Sequence, residues 1–266
     1  MPKRPATLFR YMSVKRADSA IRDSQLYLSA PIDFNDPFDC RMPLSFDASS
    51  RDQKAYARQL IREKNPGLNR HDARARVAMV DRGTYETAYG RALQRYSEQA
   101  GILCFSETNS DILMWSHYAA KHSGICLGFS FNFDERPFLE SPTYEVEYAD
   151  KVPDVRFFEI ARDMKSADTE LKLSAQRKFV KAIFLTKARH WEYESEWRTI
   201  ALNPSRASKG LRDYPPSRLT DVIFGCRISE EDERAIRSSM SSRTHPVRIQ
   251  RARRMEKVFG LEIVPA

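Results

Sequence analysis

The strongest constraint on this chain is the placement of its short apolar runs. Leu8–Tyr11, Leu26–Ser29, Ile102–Ser106, Ile125–Phe131, Val222–Phe224 and Leu261–Val264 each read as a strand, and the stretches between them differ widely in length. A doubly wound parallel sheet needs strand and helix in regular alternation, which is missing here. The pattern therefore predicts an α+β fold with a mixed or antiparallel sheet core. Ile102–Ser106 is apolar without a break, as a strand covered on both faces is.

Helical periodicity fills the gaps. Val14, Ala17, Ala20 and Ile21 give an apolar stripe between Ser13 and Gln25, and Phe157–Phe184 reads as helical throughout. Residues 51–98 also read as helical, broken at Asn65-Pro66-Gly67, with a thin apolar stripe and a wide polar face. We read one domain, 1–266, with 48–100 as a helical insertion lying on a core. Asn109 or Ser110 is placed to cap a helix carrying Met114, Trp115, Tyr118 and Ala119, and Ser229 opens another whose first turn is acidic. Tyr144–Tyr148 alternates as a strand, and so does the stretch Trp197–Leu202, which can begin as early as Trp191.

Composition narrows the function classes. No run approaches the ~20 apolar residues of a membrane helix, and no apolar signal core follows the basic start Met1–Pro5, so a cytoplasmic protein without a membrane partner is expected. The four cysteines are far apart with no Cys-x-x-Cys pair, which favours buried thiols over a zinc site or redox dithiol. The net charge of +8 suits an anionic partner such as nucleic acid or a nucleotide. From Arg51 to Glu98 there are eleven Lys/Arg against six Asp/Glu, and from Arg234 to Lys257 eight against one. Alternation through Arg248-Ile249-Gln250-Arg251 is expected to put the charges of that second run on one face, either solvated or facing a polyanion.

Three clusters are rich enough for chemistry. In His190–Arg198 an extended chain would align Glu192, Glu194 and Glu196 on one face, with Trp191, Tyr193, Ser195 and Trp197 on the other. Adjacent carboxylates repel, so such a face requires solvent, an ion pair with Arg198, or a ligand cation. Met114–Ala119 supplies Trp115, His117 and Tyr118, either as core with a polar tip or as a wall beside a ligand. His117 and His122 are five apart and splay around a helix, so no metal site is expected there. Arg10, in an otherwise apolar strand, needs a partner: Asp36, Asp39 or a ligand phosphate. Neither of the usual glycine-rich phosphate cradles is present, and there is no Gly-x-Ser-x-Gly elbow.

Phe34-Asn35-Asp36-Pro37-Phe38-Asp39, Trp115-Ser116-His117-Tyr118-Ala119 and Trp191–Arg198 together resemble a bacterial family, domain of unknown function 2971, from about Leu8 to the C-terminus. The order of the clusters also resembles the ADP-ribosyltransferase fold, with its split sheet. There the first strand carries a His or Arg for NAD, a later helix ends near a Tyr, and a late strand starts with a catalytic Glu. The resemblance implies an NAD-dependent transferase in which Glu196 is the essential carboxylate and Glu194 presents the acceptor. Arg10, Tyr27, Ser106, Trp115, His117 and Tyr118 would hold NAD, with Tyr118 or Tyr27 stacking on nicotinamide. Two departures stand: the first-strand position is not the His of the polymerase-like branch, and Ser106 lacks the Ser-Thr-Ser neighbourhood of the other branch.

The resemblance implies a nucleic-acid or protein acceptor, a toxin or phage-defence role, and a neutralising partner still to be identified. Two rival readings stand beside it. One is a Mg²⁺-dependent nuclease built on Asp36, Asp39, Glu194 and Glu196; the other is a non-catalytic nucleic-acid-binding module.

Overall fold

The computed structural model describes residues 4–41, 44–135, 137–203 and 208–266. The basic start Met1–Lys3 therefore lies outside the described residues. The fold is α+β, and the chain forms two compact units. The first is Met1–Asp33, Gln99–Tyr148 and Arg189–Ala266; the second is Phe34–Glu98 and Ala149–Ala188. In chain order the elements are β1 (Thr7–Met12), α1 (Val14–Asp23), β2 (Gln25–Leu28), α2 (Ser50–Lys64), α3 (Arg70–Ala78), α4 (Arg82–Gln99), β3 (Gly101–Ser106), α5 (Ile112–Tyr118), β4 (Ile125–Ser130), β5 (Thr143–Glu145), β6 (Glu147–Ala149), α6 (Phe157–Met164), α7 (Thr169–Phe184), β7 (Thr186–Ala188), β8 (Glu196–Ala201), β9 (Gly210–Asp213), β10 (Leu219–Phe224), α8 (Glu230–Met240), β11 (Arg248–Arg254) and β12 (Leu261–Pro265).

The first unit is built on an eight-stranded sheet in the order β12-β11-β10-β4-β1-β3-β8-β5. Its neighbours run antiparallel except β10 and β11, which are parallel and joined through α8, as a parallel pair requires. One face carries Leu8, Leu103, Phe105, Leu127, Phe129, Val222 and Phe224, and packs with Ala17, Ala20 and Ile21 of α1 and Ile236 of α8. The other gathers Tyr11, Cys126 and Ile223 with Met114, Trp115 and Ala119 from α5 and the residue after it. Strand alternation sorts these residues onto the two faces.

The helix α1 stops where the stripe stops, at Ser24, whose φ of 53° breaks the helical register. Tertiary donors then serve its last carbonyls: Tyr214 Oη donates to Ala20 O at 2.9 Å and Arg243 Nη1 to Ile21 O at 2.9 Å.

β1 pairs with β4 through six residue pairs but with β3 through only one, Phe9 with Ser106. The two strands part beyond it, and Arg10 Nη1 donates to Cys104 O at 2.6 Å across the opening.

The second unit is helical around an aromatic core. Phe46, Tyr56, Tyr85, Tyr89, Phe157 and Phe158 meet ring to ring, with centroids from 4.9 to 6.4 Å apart. Ser45 and Arg156 pair as a parallel bridge that brings Phe46 to Phe157. Asp36 accepts the Phe38 amide at 2.9 Å in the turn expected before Pro37, and Asp39 pairs with Lys187 at 3.9 Å.

Several expectations need correction. Residues 51–98 break twice: at Asn65–Gly67, and again before α4, where Asp81 accepts the Thr84 amide at 2.8 Å. The 157–184 helix is two helices, because Asp168 caps α7 through the Glu170 and Leu171 amides. Tyr144–Tyr148 divides at buried Val146, whose amide donates to Glu196 O at 2.9 Å. The cap of α5 is Asp111, not Asn109 or Ser110, and the helix ends at Tyr118. The arginines of β11 do not share one face: Arg248 pairs with Asp221, Arg251 with Glu233 and Arg253 with Glu262. Strand parity explains it, since positions 248 and 251 point to opposite sides. Among the described residues no helix is long and apolar enough to cross a membrane, and all four cysteines are thiols.

Candidate functional site

The predicted carboxylate-rich strand does not exist as such. Arg189–Glu194 is a 3₁₀ helix, and β8 begins only at Glu196. Ser195 joins them with a φ of 43°, the left-handed region that L-residues enter at a cost. The bend removes Glu192 to the exposed surface and leaves Glu194 and Glu196 buried. The joint is held from outside. Glu107 N donates to Ser195 O at 3.0 Å, and Ser106 Oγ to Glu194 O at 2.6 Å.

Glu196 and Arg198 then share a sheet face two residues apart. The guanidinium grips the carboxylate twice, Nε to Oε1 at 2.8 Å and Nη2 to Oε2 at 2.9 Å, and Arg198 is fully buried. The same face carries Ser106 opposite Glu196 and Cys104 opposite Arg198. Burial pushes the Cys104 thiol well up, and the adjoining Glu196 carboxylate adds to the shift. The Glu196 amide donates to Tyr148 Oη at 2.8 Å. Trp197, between the two, faces the other core and donates its indole N–H to Glu107 Oε1 at 2.6 Å.

Glu194 meets α5 instead. Tyr118 Oη donates to its Oε1 at 2.7 Å, across 76 residues of sequence. A row of rings continues from there: His117 lies 6.2 Å from Tyr118 and 6.5 Å from Tyr193, and Tyr193 lies 6.1 Å from Trp191. His117 is exposed and the other three rings are partly so.

The remaining predicted residues fall in different places. Ser106 and Trp115 are buried and engaged in construction: Ser106 as the latch on Glu194 O, Trp115 through Nε1 to Asn109 O at 2.8 Å and edge-on to Tyr11 at 5.3 Å. Arg10 makes no ion pair among the described residues. Burial draws its guanidinium below the ordinary value, and Cys104 and Glu196 act on its charge; an arginine stays charged regardless. Tyr27 stands apart, opposite Leu211 on the small sheet of β2 and β9, with 49% of its surface exposed.

Sequence reasoning left Cys104 and Tyr148 out of the site, and named Trp191, Tyr193 and Arg198 within the His190–Arg198 cluster without giving them a role toward NAD. The signal for Trp191, Tyr193 and Arg198 was present in the Trp191–Arg198 motif itself. Nothing local points to Cys104 or Tyr148, which arrive through strand register and a long-range bond. Among the described residues no group of three or more His, Cys, Asp or Glu side chains is placed to hold a metal ion.

No curated protein and no solved structure matches the chain. Residues 114–199 match the model of a family described as a protein of unknown function (DUF2971). That stretch begins at Met114 on α5 and ends at Thr199 on β8, so the part of the chain that is similar to this family contains both ends of the Tyr118–Glu194 bond and the whole Glu196–Arg198 pair.

Proposed function

We propose that the first unit is an NAD-consuming transferase that moves ADP-ribose to an acceptor. The observation that carries the reading is the Tyr118–Glu194 hydrogen bond, which sets a buried carboxylate against a row of rings beside the Glu196–Arg198 pair. In the reaction the bond between ribose C1′ and the nicotinamide nitrogen breaks, and the electron pair leaves with nicotinamide. The ribose becomes oxocarbenium-like, the acceptor oxygen or nitrogen bonds to C1′, and the acceptor's proton is released. A fixed carboxylate near C1′ stabilises that developing cation.

Glu196 is committed to Arg198 by two bonds, so we assign the cation-stabilising role to Glu194 and a positioning role to the Glu196–Arg198 pair. This reverses the order of the two acids that the family resemblance implies. His117, Tyr118, Tyr193 and Trp191 offer flat surfaces for nicotinamide, and Arg10 offers a cation for the pyrophosphate.

The test is nicotinamide release from labelled NAD, with protein, DNA and RNA acceptors present. Glu194→Gln keeps an acceptor for Tyr118 and removes the charge; it is expected to lower turnover at least ~100-fold with an unchanged melting temperature. Glu196→Ala removes the carboxylate that Arg198 grips twice inside the core, and is expected to cost about 3–5 kcal/mol of stability. No release by the wild type, together with no thermal shift on adding NAD, would overturn the reading.

A further inference from the structure

The second unit holds 21 Lys and Arg against 15 Asp and Glu, which is +6 of the chain's +8. Four of these cations form a row. Arg51, Lys54, Arg58 and Arg62 recur along α2 at intervals of three, four and four residues, so at 100° per residue they fall within about 80° of one another, on a line about 16 Å long. All four are exposed, and none makes an ion pair or hydrogen bond among the described residues.

The carboxylates of the same helix are engaged elsewhere. Asp52 is held by the cap residue Ser49 at 2.6 Å, and Glu63 by Lys165 at 2.6 Å and Gln59 at 3.1 Å. Lys54 with Arg58, and Arg58 with Arg62, are like charges four apart, an arrangement that opposes helix formation. The helix is held instead by its Ser49 cap, by Ala57, and by the Tyr56 ring packed on Phe157 and Phe158. No large apolar side chain of α2 is among the exposed ones. The row therefore lacks the apolar companion by which an amphipathic helix enters a lipid surface.

We propose that this face of α2 docks the phosphodiester backbone of a nucleic acid. A straight row of cations without neutralising carboxylates or fully exposed large apolar side chains on its helix matches a ligand whose charges repeat along a line, and such binding gains from counterion release. Phosphate contacts position a strand without reading its sequence. The surface needs no NAD, so it stands or falls separately from the transferase reading.

The experiment is fluorescence anisotropy of the full chain with labelled 20-mers of single-stranded RNA, single-stranded DNA and duplex DNA, titrated at several KCl concentrations without NAD. The wild type is expected to bind at least one of the three with a strong salt dependence, and the arms show which nucleic acid is preferred. Replacing the row (R51Q, K54Q, R58Q, R62Q) is expected to weaken binding at least tenfold and to flatten the log–log salt slope by about 3–4. Arg58→Glu alone shifts affinity the same way, and R51K with R58K and R62K retains binding. A control on α7 of the same unit (K172Q, R177Q, K178Q) is expected to leave the slope unchanged. The proposal is overturned if the row variant binds like the wild type, or if the α7 control loses as much. It is equally overturned if the wild type binds none of the three probes, whether or not it binds phosphatidylserine vesicles.

Discussion

At the scale of single residues the molecule places strain and burial around its polar groups. Ala120, Lys121 and His122 have φ of 48°, 56° and 71°, three consecutive left-handed residues without a glycine. They follow α5 and lead into Gly124, where a Cβ would lie 2.3 Å from Met12 O, so the chain turns sharply under close backbone contact. His122 Nδ1 is buried there without a hydrogen-bond partner among the described residues. Burial holds the imidazole below its ordinary value of 6.5, and the Arg227 cation adds to the shift. The unfolded chain therefore takes up the proton first as pH falls. This contribution to stability is full above pH 6.5 and is lost progressively below it. Thermal melts between pH 7 and 5.5 are expected to fall for the wild type and to flatten for His122→Asn, which cannot titrate and suits the left-handed backbone. Equal slopes for the two proteins would show that His122 does not contribute.

At the scale of elements, α5 is the clearest case of a short segment held by its cap. Seven residues cannot sustain a helix alone. Asp111 accepts the Leu113 and Met114 amides, both at 2.9 Å, and Trp115 anchors the opposite side against Tyr11. Asp111→Ala is expected to cost about 1 kcal/mol in denaturant melts, whereas Asp111→Ser restores most of it; a neutral Ala variant would show that packing alone positions the helix. The periodicity of Val14–Ile21 and the unbroken apolar run at Ile102–Ser106 made α1 and β3 legible, because each is decided by neighbours in sequence. The cap at Asp111 was missed because Asn109, Ser110 and Asp111 are all good caps, and only the burial of Trp115 selects among them. The strand at Glu196 was misplaced for a related reason: alternation through 191–198 is real in sequence, but the left-handed Ser195 interrupts it in space.

At the scale of the whole molecule the two units differ in how they are built. The sheet unit buries Leu8, Ile125, Leu127, Phe129, Leu219, Val222, Ile223 and Phe224 completely. In the helical unit α2 buries only Ala57, α3 only Val77 and α4 only Tyr85. Local opening free energy follows buried contact, so hydrogen exchange is expected to be slowest in β1, β4 and β10 and fastest, by orders of magnitude, in α3. Protection of α3 equal to that of β4 would contradict this ordering. Charge is divided too. The sheet unit neutralises much of its basic C-terminal run internally, through Asp221, Glu233 and Glu262, while the row on α2 makes no ion pair among the described residues.

By itself the sequence determined the class of fold, most of the elements, and the family resemblance carried by the aromatic and acidic motifs, because periodicity, caps and motif identity are properties of adjacent residues. The tertiary structure alone decided which acid answers to which partner. Glu194 reaches Tyr118 across 76 positions, Glu196 is taken by Arg198, and Tyr27 is left on a separate small sheet. Those outcomes depend on strand order, on one bend at Ser195, and on the burial that makes an unpaired charge too costly to keep.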